Sequence, residues 1–358
     1  MEEPDATDLR VSAAKSALAE FMEKNLVASR IEIEAKLIEV HLGAVPFEPH
    51  HLSTAARNLE AQGAIKKEQT PARGGRPIPL FVVANQSNRT RAVKDAAARK
   101  RTLMARYYSY VAGATEAGSS LAGPAGEVAF DSALTRANPG TRITTYFRSL
   151  PSVKQVNGVD VPMGPIDNGF VIQRLDEKTR APVGPWGVRA LVEVKNVRDW
   201  IYPNSSELFQ LLYKAAVIQN QNPNWGFLPV LVCRRVHITT IFMASELGFF
   251  VIDAKRHYLP DSSVINKVHF AEMRDELGLT DMVIGSDSTA RIENRLRTIQ
   301  QFFNIERAAA AWKRMSARTE LHDLFRTMND ERISHRERTA TLDGIRRIAK
   351  EEGASRSW

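Results

Sequence analysis

VRALVEVKNVRDWIY, residues 188–202, is the stretch that decides the fold. Valine or alanine stands at every second position of its first eight residues, and this period of two is typical of a β-strand. Glu193 and Lys195 stand two positions apart in this strand. They are therefore expected to project from the same face, about 6.5–7 Å from one another.

A second acidic residue precedes this strand in the segment PIDNGFVI, residues 165–172. Asp167 has an isoleucine before it and an apolar run after it, which predicts a second strand. Carboxylate oxygens are the ligands that Mg²⁺ or Mn²⁺ prefers, and such an ion lowers the pKa of bound water. A neighbouring ammonium group orients the water or offsets phosphate charge. Asp167, Glu193 and Lys195 therefore indicate a metal-dependent hydrolytic site.

This order of residues resembles the PD-(D/E)XK nuclease superfamily. Residues 165–167 stand for the "PD" half of its motif with one inserted residue, and residues 193–195 stand for the "(D/E)XK" half. The resemblance covers roughly residues 120–255. It implies an α/β fold of the restriction-endonuclease-like type, a mixed sheet flanked by helices.

The resemblance also implies roles for particular residues. A helix before the strands contributes a glutamate, which is Glu127 in GPAGEVAFDSAL, and a helix after them carries polar residues, here Gln210 in SELFQLLYK. Asp167, Glu193 and Glu127 would bind Mg²⁺ or Mn²⁺, with the Val194 carbonyl as a further ligand. Lys195 would position the attacking water. The implied catalytic set is Asp167, Glu193, Lys195, Glu127 and Gln210.

Other interpretations of the same residues stay open. Alternating Glu and Lys also occurs on the solvated face of an antiparallel strand. A glutamate early in a helix, such as Glu127, is also a favourable partner of the helix dipole. The expected function is a DNA endonuclease of prokaryotic restriction or antiviral defence. The alternatives are a DNA-binding regulator with an inactive nuclease-like domain, and an interaction scaffold.

Composition limits the class of protein. The chain has 358 residues with 43% hydrophobic and 25% charged residues, which predicts a globular protein of two or more domains. No apolar run is long enough to span a membrane and no signal peptide is evident, so a cytoplasmic location is expected. The net charge of +8 favours a polyanionic partner. No phosphate-binding lysine loop, zinc-spaced Cys/His cluster or Gly-x-Ser-x-Gly is present.

Residues 1–85 resemble a winged helix-turn-helix domain. Helical patterns are followed by a predicted hairpin, QTPARGGRPI, whose tip carries Arg73 and Arg76. The implied recognition helix, residues 49–62, exposes Arg57 for contact with DNA. A protein partner is the alternative, because many winged helices bind no DNA. We expect the adjacent His50 and His51 to be solvated rather than metal-bound.

The rest of the chain divides into three predicted regions. Residues 86–118 form a basic connector helix in which Arg99, Lys100 and Arg101 would follow the DNA backbone. Residues 119–288 form the nuclease-like domain, and residues 289–358 form a C-terminal helical region. An apolar stripe in this last region needs a partner, which is either the nuclease-like core or a second subunit of a homodimer.

Overall fold

The computed structural model describes residues 6–41, 44–71, 77–84, 90–111, 121–137, 145–146, 152–173, 176, 178–179, 181, 187–263, 265–302 and 305–358. The architecture is mixed α/β, as predicted. Two compact units are formed: the first combines Met1–Gly118 with Asp261–Met282, and the second combines Ser119–Pro260 with Val283–Trp358.

Helices and short strands alternate in the first unit. Its elements are α1 (Ala6–Asn25), β1 (Val27–Ala28), α2 (Arg30–Glu34) with a π-helical turn (Ala35–Glu39), α3 (Pro49–Ala61), β2 (Ile65–Pro71), β3 (Pro77–Val83), α4 (Thr90–Val111) and α8 (Lys267–Leu277). The second unit contains α5 (Ala122–Arg136), β4 (Thr145–Tyr146), β5 (Gln155–Val156), β6 (Val159–Asp160), β7 (Asn168–Gln173), β8 (Val188–Lys195), α6 (Ser206–Gln221), β9 (Phe227–Cys233), α7 (Ile238–Leu247), β10 (Phe250–Asp253), β11 (His257–Leu259), α9 (Ala290–Phe302), α10 (Ile305–Ser316), α11 (Thr319–Asn329) and α12 (His335–Glu351). Strand β12 (Met282–Ile284) spans the boundary between the units in sequence.

The four predicted regions map onto these units as follows. Residues 90–111 of the predicted connector belong to the first unit, together with residues 261–282 from the predicted nuclease-like region. Residues 305–358 of the predicted C-terminal region belong to the second unit. The connector was predicted as one helix over 86–118, and its described part, 90–111, is a single helix.

The predicted helix and hairpin of the first unit are confirmed. Helix α3 begins at Pro49, which fits the first helical position because proline lacks the amide hydrogen that would be unpaired there. Its buried stripe contains Leu52, Ala56 and Leu59, as the helical spacing predicts. β1, β3 and β2 form an antiparallel sheet in that order, and the tip of the β2–β3 hairpin lies outside the described residues.

The central sheet of the second unit has the strand order β10-β9-β8-β7-β4. β8, β9 and β10 are parallel, whereas β7 runs antiparallel to β8, so the sheet is mixed. Two apolar runs on either side of a helical pattern predict a β-α-β arrangement here, and α7 does join β9 and β10. Strand β8, which contains the E-x-K motif, is the middle strand of the sheet and is buried on both faces.

Two hydrophobic cores cover the two faces of this sheet. Leu191 of β8 belongs to the core that includes Phe209 of α6 and Trp312 of α10. Val192 and Val194 belong to the opposite core, with Phe130 of α5. Because side chains alternate along a strand, Glu193 and Lys195 lie on the same face as Leu191, where α6 packs.

Smaller predictions have mixed outcomes. Asn-Gly is the strongest short signal for a hairpin turn, and Asn157-Gly158 forms the turn between β5 and β6, with φ angles of 53° and 78°. Residues 30–39, whose apolar spacing fits both a strand and a helix, are helical with a π-helical turn. Asp167 was expected within a strand, but it occupies the residue before β7. In α9, Ile292 and Leu296 belong to the apolar stripe that needs a partner. They pack into the core of the second unit, so this core is the partner of these two positions.

In the part of the chain that the structure describes, no helix has both the length and the apolar character that a membrane crossing requires.

Gly248 allows α10 to pack directly on the end of α7. It ends α7 in the left-handed conformation, with φ of +84°. A Cβ atom at this position would lie 2.5 Å from the Trp312 amide nitrogen and closer still to the Ala308 carbonyl oxygen. A side chain here therefore meets both backbone strain and a steric clash.

We expect Gly248→Ala to destabilise the protein by clearly more than the roughly 1–2 kcal/mol of left-handed backbone strain. Gly353→Ala is the matched control, because Gly353 has φ of +95° but open space around its Cβ position. Urea unfolding of both variants measures the difference. Equal destabilisation of the two variants would contradict the proposed close packing of α10 on Gly248.

Candidate active site

Backbone pairing between β7 and β8 brings the predicted acids together. Asn168 of β7 pairs with Val192 of β8, so Asp167 lies next to the end of β8 that carries Glu193 and Lys195. The Val194 backbone amide donates a 2.7 Å hydrogen bond to Asp167 Oδ2. This bond fixes the carboxyl group of Asp167 beside the E-x-K motif.

Glu193 is an almost fully buried carboxylate between two lysines. Its side chain is 1% exposed. Oε2 lies 3.2 Å from Lys195 Nζ, and Oε1 lies 2.5 Å from Lys214 Nζ on α6. The interpretation of Glu193 and Lys195 as a solvated strand face is therefore wrong. A buried carboxylate requires paired charge, and both of its oxygens have it here.

Helix α6 supplies the groups that hold the two lysines. Lys195 Nζ donates a 2.6 Å hydrogen bond to Gln210 Oε1, so the structure places Gln210 beside the motif. Lys214 Nζ also donates a 2.6 Å hydrogen bond to the Pro165 carbonyl, two residues before Asp167. Lys214 therefore links the Asp167 segment, β8 and α6.

The carboxyl group of Asp167 is difficult to ionise. Burial, followed by the negative charge of Glu193, raises its pKa from 3.8 to about 7. The Val194 amide and the Lys195 ammonium oppose this increase. A carboxyl group held neutral by its surroundings near pH 7 is typical of functional sites, because a bound cation or a transferred proton can relieve the repulsion.

Glu127 lies at the edge of the same group. It is exposed on α5, yet partial burial and then the charge of Glu193 raise its pKa, while Lys195 lowers it. Glu127 and Glu193 therefore interact electrostatically, although they make no direct contact that fixes Glu127. The structure thus brings all five implied catalytic residues into one region of the second unit.

Two residues of the region, Lys214 and Asn196, were not among the predicted site residues. Asn196 directly follows the E-x-K motif, and its Nδ2 donates to the carbonyl oxygens of Ala122 and Tyr258, at 2.6 and 2.7 Å. Its Oδ1 accepts a 3.0 Å hydrogen bond from the Tyr258 amide. Asn196 thereby ties the Glu127 helix to the end of β8. Two features of the sequence could have indicated these residues. Asn196 is adjacent to the E-x-K motif, and Lys214 lies one helical turn after Gln210.

The predicted DNA-binding residues have different outcomes. Arg57 is exposed on α3, whereas Arg73 and Arg76 lie outside the described residues. On α4, Arg99 pairs with Glu272 and Glu276 of the first unit, and Lys100 Nζ lies 2.5 Å from the buried Glu32 Oε1. Arg99 and Lys100 were predicted to follow a phosphate backbone, but both are paired with carboxylates, which they share with Arg106 and Lys36. Arg101 is half-buried and has no carboxylate at ion-pair distance among the described residues.

The two histidines have different outcomes: His50 is exposed, as predicted, whereas His51 is not. His51 is 3% exposed, and its Nδ1 accepts a hydrogen bond from the Glu48 amide in a capping box at the start of α3. Three or more His, Cys, Asp or Glu side chains can bind a metal ion when their ligand atoms lie close together. Within the described residues, Glu48, His50 and His51 are the one group whose ligand atoms lie within 4.8 Å of one another. Helix capping accounts for the geometry of His51, and the expectation that it is solvated is wrong.

The carboxylates of the second unit fit a hard divalent cation as a pair. Glu127, Asp167 and Glu193 do not form a group of three ligands within 4.8 Å. Mg²⁺ commonly takes one or two protein carboxylates and keeps several water molecules, so Asp167 and Glu193 provide a suitable donor set. The repulsion that raises the Asp167 pKa is the electrostatic condition that a cation removes.

Comparisons with protein-family models, with curated proteins and with solved structures found no match for this chain.

The raised pKa of Asp167 predicts a specific pH dependence of stability. The unfolded chain loses this proton near pH 4 and the folded protein near pH 7, so wild-type stability falls as the pH rises between these values. Asp167→Asn keeps an acceptor for the Val194 amide but carries no charge. In EDTA, its stability relative to wild type should therefore increase from pH 4 to 7, by up to about 4 kcal/mol, and then level off.

Urea unfolding at several pH values measures this difference, with the exposed Asp199→Asn as the control. A difference for Asp167→Asn that does not change with pH would show that Asp167 titrates normally.

A second prediction concerns Lys214, which is 1% exposed. Lys214→Met leaves the buried Glu193 carboxylate with one cation fewer and removes the bond to Pro165. Breaking a buried ion pair from one side costs about 3–5 kcal/mol. The double variant Glu193→Gln/Lys214→Met should recover part of this stability, because it leaves no uncompensated charge.

Urea unfolding of the single and double variants completes the cycle, and the exposed Lys313→Met on α10 is the control. Destabilisation by Lys214→Met no larger than by Lys313→Met would rule out the buried pair as a stabilising contact.

Proposed function

We propose that this protein is a metal-dependent DNA endonuclease. The observation that carries the proposal is the group formed by Asp167, Glu193 and Lys195 at the ends of neighbouring strands, with the Asp167 pKa raised to about 7. Like-charged carboxylates held together in a buried region are costly for folding alone. A hard cation offsets that cost, and phosphodiester hydrolysis uses such an ion.

The chain topology supports the nuclease-like assignment of the second unit. A helix with Glu127 precedes the sheet, an acid precedes β7, the E-x-K motif ends β8, and a helix with Gln210 follows. This is the order that the resemblance to PD-(D/E)XK nucleases implies. In the first unit, the order α1-β1-α2-α3-β2-β3 with a three-stranded sheet supports the proposed winged helix.

Asp167 and Glu193 would hold the ion, and Glu127 would add negative charge at its edge. When bound, Mg²⁺ or Mn²⁺ supplies Lewis acidity and a more acidic water. Lys195 has its ammonium fixed by Gln210 and Glu193, so it can orient the attacking water or offset charge on the phosphate. The Val194 amide holds Asp167 in place, and Lys214 holds Glu193.

A second candidate function is a DNA-binding regulator whose nuclease-like unit is inactive. The contact that favours it is the double pairing of Glu193, since both oxygens are already within 3.2 Å of lysine nitrogens. In that case an ion would have to displace an ammonium group before it could bind Glu193. DNA binding without cleavage under all metal conditions is the result that this candidate predicts.

The direct experiment is incubation of plasmid DNA with the protein in Mg²⁺, Mn²⁺ or EDTA. We expect cutting only with the metal ions, and no cutting by Asp167→Asn or Glu193→Gln. Glutamine is preferred to alanine at position 193 because it keeps a side chain beside the buried Lys214. Asp199→Asn, an exposed acid shortly after β8, is the control.

A second measurement tests the role of Lys195 independently of the roles of Asp167 and Glu193. Lys195→Met should retain Mg²⁺ binding by calorimetry, while single-turnover cleavage falls about a hundred- to a thousandfold, the typical cost of removing one charge-stabilising donor. Undiminished cutting by Asp167→Asn would refute the proposed function, and normal turnover by Lys195→Met would refute only the role of Lys195.

A further inference from the structure

The carboxyl ends of β8, β9 and β10 meet at one edge of the central sheet, because the three strands are parallel. Lys195 and Asp253 both pair in register with Cys233, one from each side. They are therefore level with one another and two strand spacings apart, about 9.5 Å. The residues that follow Asp253 lie beyond the candidate active site along the same edge.

This edge carries a cluster of basic side chains, which we call the edge cluster: Lys255, Arg256, Arg291 and Arg295. Arg291 of α9 donates a 2.6 Å hydrogen bond to the Asp253 carbonyl, and its guanidinium lies 3.5 Å from Asp253 Oδ2. Arg256 and Lys195 line the same small cleft. The cluster is therefore continuous with the candidate active site within the second unit.

The edge cluster has more positive charge than its surroundings balance. Among the described residues, no carboxylate lies at ion-pair distance from Lys255, Arg256 or Arg295. Arg291 has Asp253, whose own carboxyl pKa is raised by burial. The pKa of Lys255 is lowered, first by burial and then by the charge of Arg291. Asp253 opposes this decrease, and Arg235 and Arg295 add to it. Such mutual repulsion is relieved when an anion binds.

The backbone at Lys255 is a second, independent observation. Lys255 has φ of +52°, in the left-handed region that a lysine rarely adopts. Its amide donates a 2.9 Å hydrogen bond to the Arg234 carbonyl, which fixes this conformation. Strain of about 1–3 kcal/mol persists only where the surrounding structure holds it, and such residues are enriched at functional sites.

We propose that Lys255, Arg256 and Arg295 bind backbone phosphates of the DNA strand that the candidate active site cuts. The inference rests on the proposed endonuclease function and names the surface that holds its substrate. Successive phosphates of one strand advance about 3.4 Å along the helix axis. Lys195 and Asp253, the residue two positions before Lys255, are about 9.5 Å apart, so the cluster would contact phosphates a few nucleotides from the scissile bond.

Binding is measured without cleavage, so that the outcome does not depend on catalysis. Fluorescence anisotropy of a DNA duplex of about three helical turns in EDTA is recorded over a range of salt concentrations. The variant Lys255→Gln/Arg256→Gln/Arg295→Gln is compared with wild type and with the control Arg336→Gln/Lys350→Gln. Both control residues are exposed on α12. Melting curves check that the variants are folded.

If the edge cluster binds phosphates, the triple variant should bind at least about tenfold more weakly at about 0.1 M salt. The slope of log affinity against log salt should fall by about 0.9 for each phosphate that the variant no longer neutralises, up to about 2.7. The control should keep the wild-type affinity and slope. Wild-type affinity and slope in the folded triple variant would overturn the inference, and so would failure of the wild-type protein to bind duplex DNA.

The two proposals fail differently. If wild type cuts DNA and Asp167→Asn does not, the endonuclease function stands whether or not the triple variant binds normally. Neutral methylphosphonate linkages placed one to five nucleotides from the mapped cut test the location. We expect weaker wild-type binding for linkages at the contacted positions and no such effect in the triple variant. Equal effects in both proteins would contradict the assignment of the cluster to these phosphates.

Discussion

The buried contact of Glu193 with Lys195 and Lys214 is the constraint on which the second unit depends. Two lysines balance a single carboxylate in the middle of the central sheet, and Lys214 reaches the carbonyl of Pro165 as well. The same contact therefore joins the central strand, the helix behind it and the segment that carries Asp167. Loss of any one of these three charges would therefore disturb the contact between all three elements.

Much of the fold could be predicted from local patterns. The alternation around Val192 identified the central strand, the Asn157-Gly158 pair identified a turn, and the spacing of Leu52, Ala56 and Leu59 identified a helix. These signals depend on residues near one another in the chain. The grouping of Asp167 with Glu193 was predicted from their order along the chain, and the pairing of β7 with β8 brings them together.

Long-range electrostatic contacts could not be read from the sequence. Arg99 has its acidic partners, Glu272 and Glu276, 173 and 177 positions away. Lys214 looked like one more polar residue on a helix face, although its partner Glu193 lies 21 positions earlier. A basic or polar pattern shows that charge is present but not what balances it. Conversely, no local sequence pattern singles out Lys255 and Arg256, because only folding brings α9 beside them.

The single cysteine of the chain has a practical consequence. Cys233 is buried on β9 between its register partners Lys195 and Asp253, and burial raises the pKa of its thiol. A thiol that stays protonated and shielded reacts slowly with maleimides and oxidants. Cysteines introduced on the surface can therefore carry fluorescent or spin labels while the native residue remains in place. Distances between such labels could be measured in a protein that is otherwise unaltered.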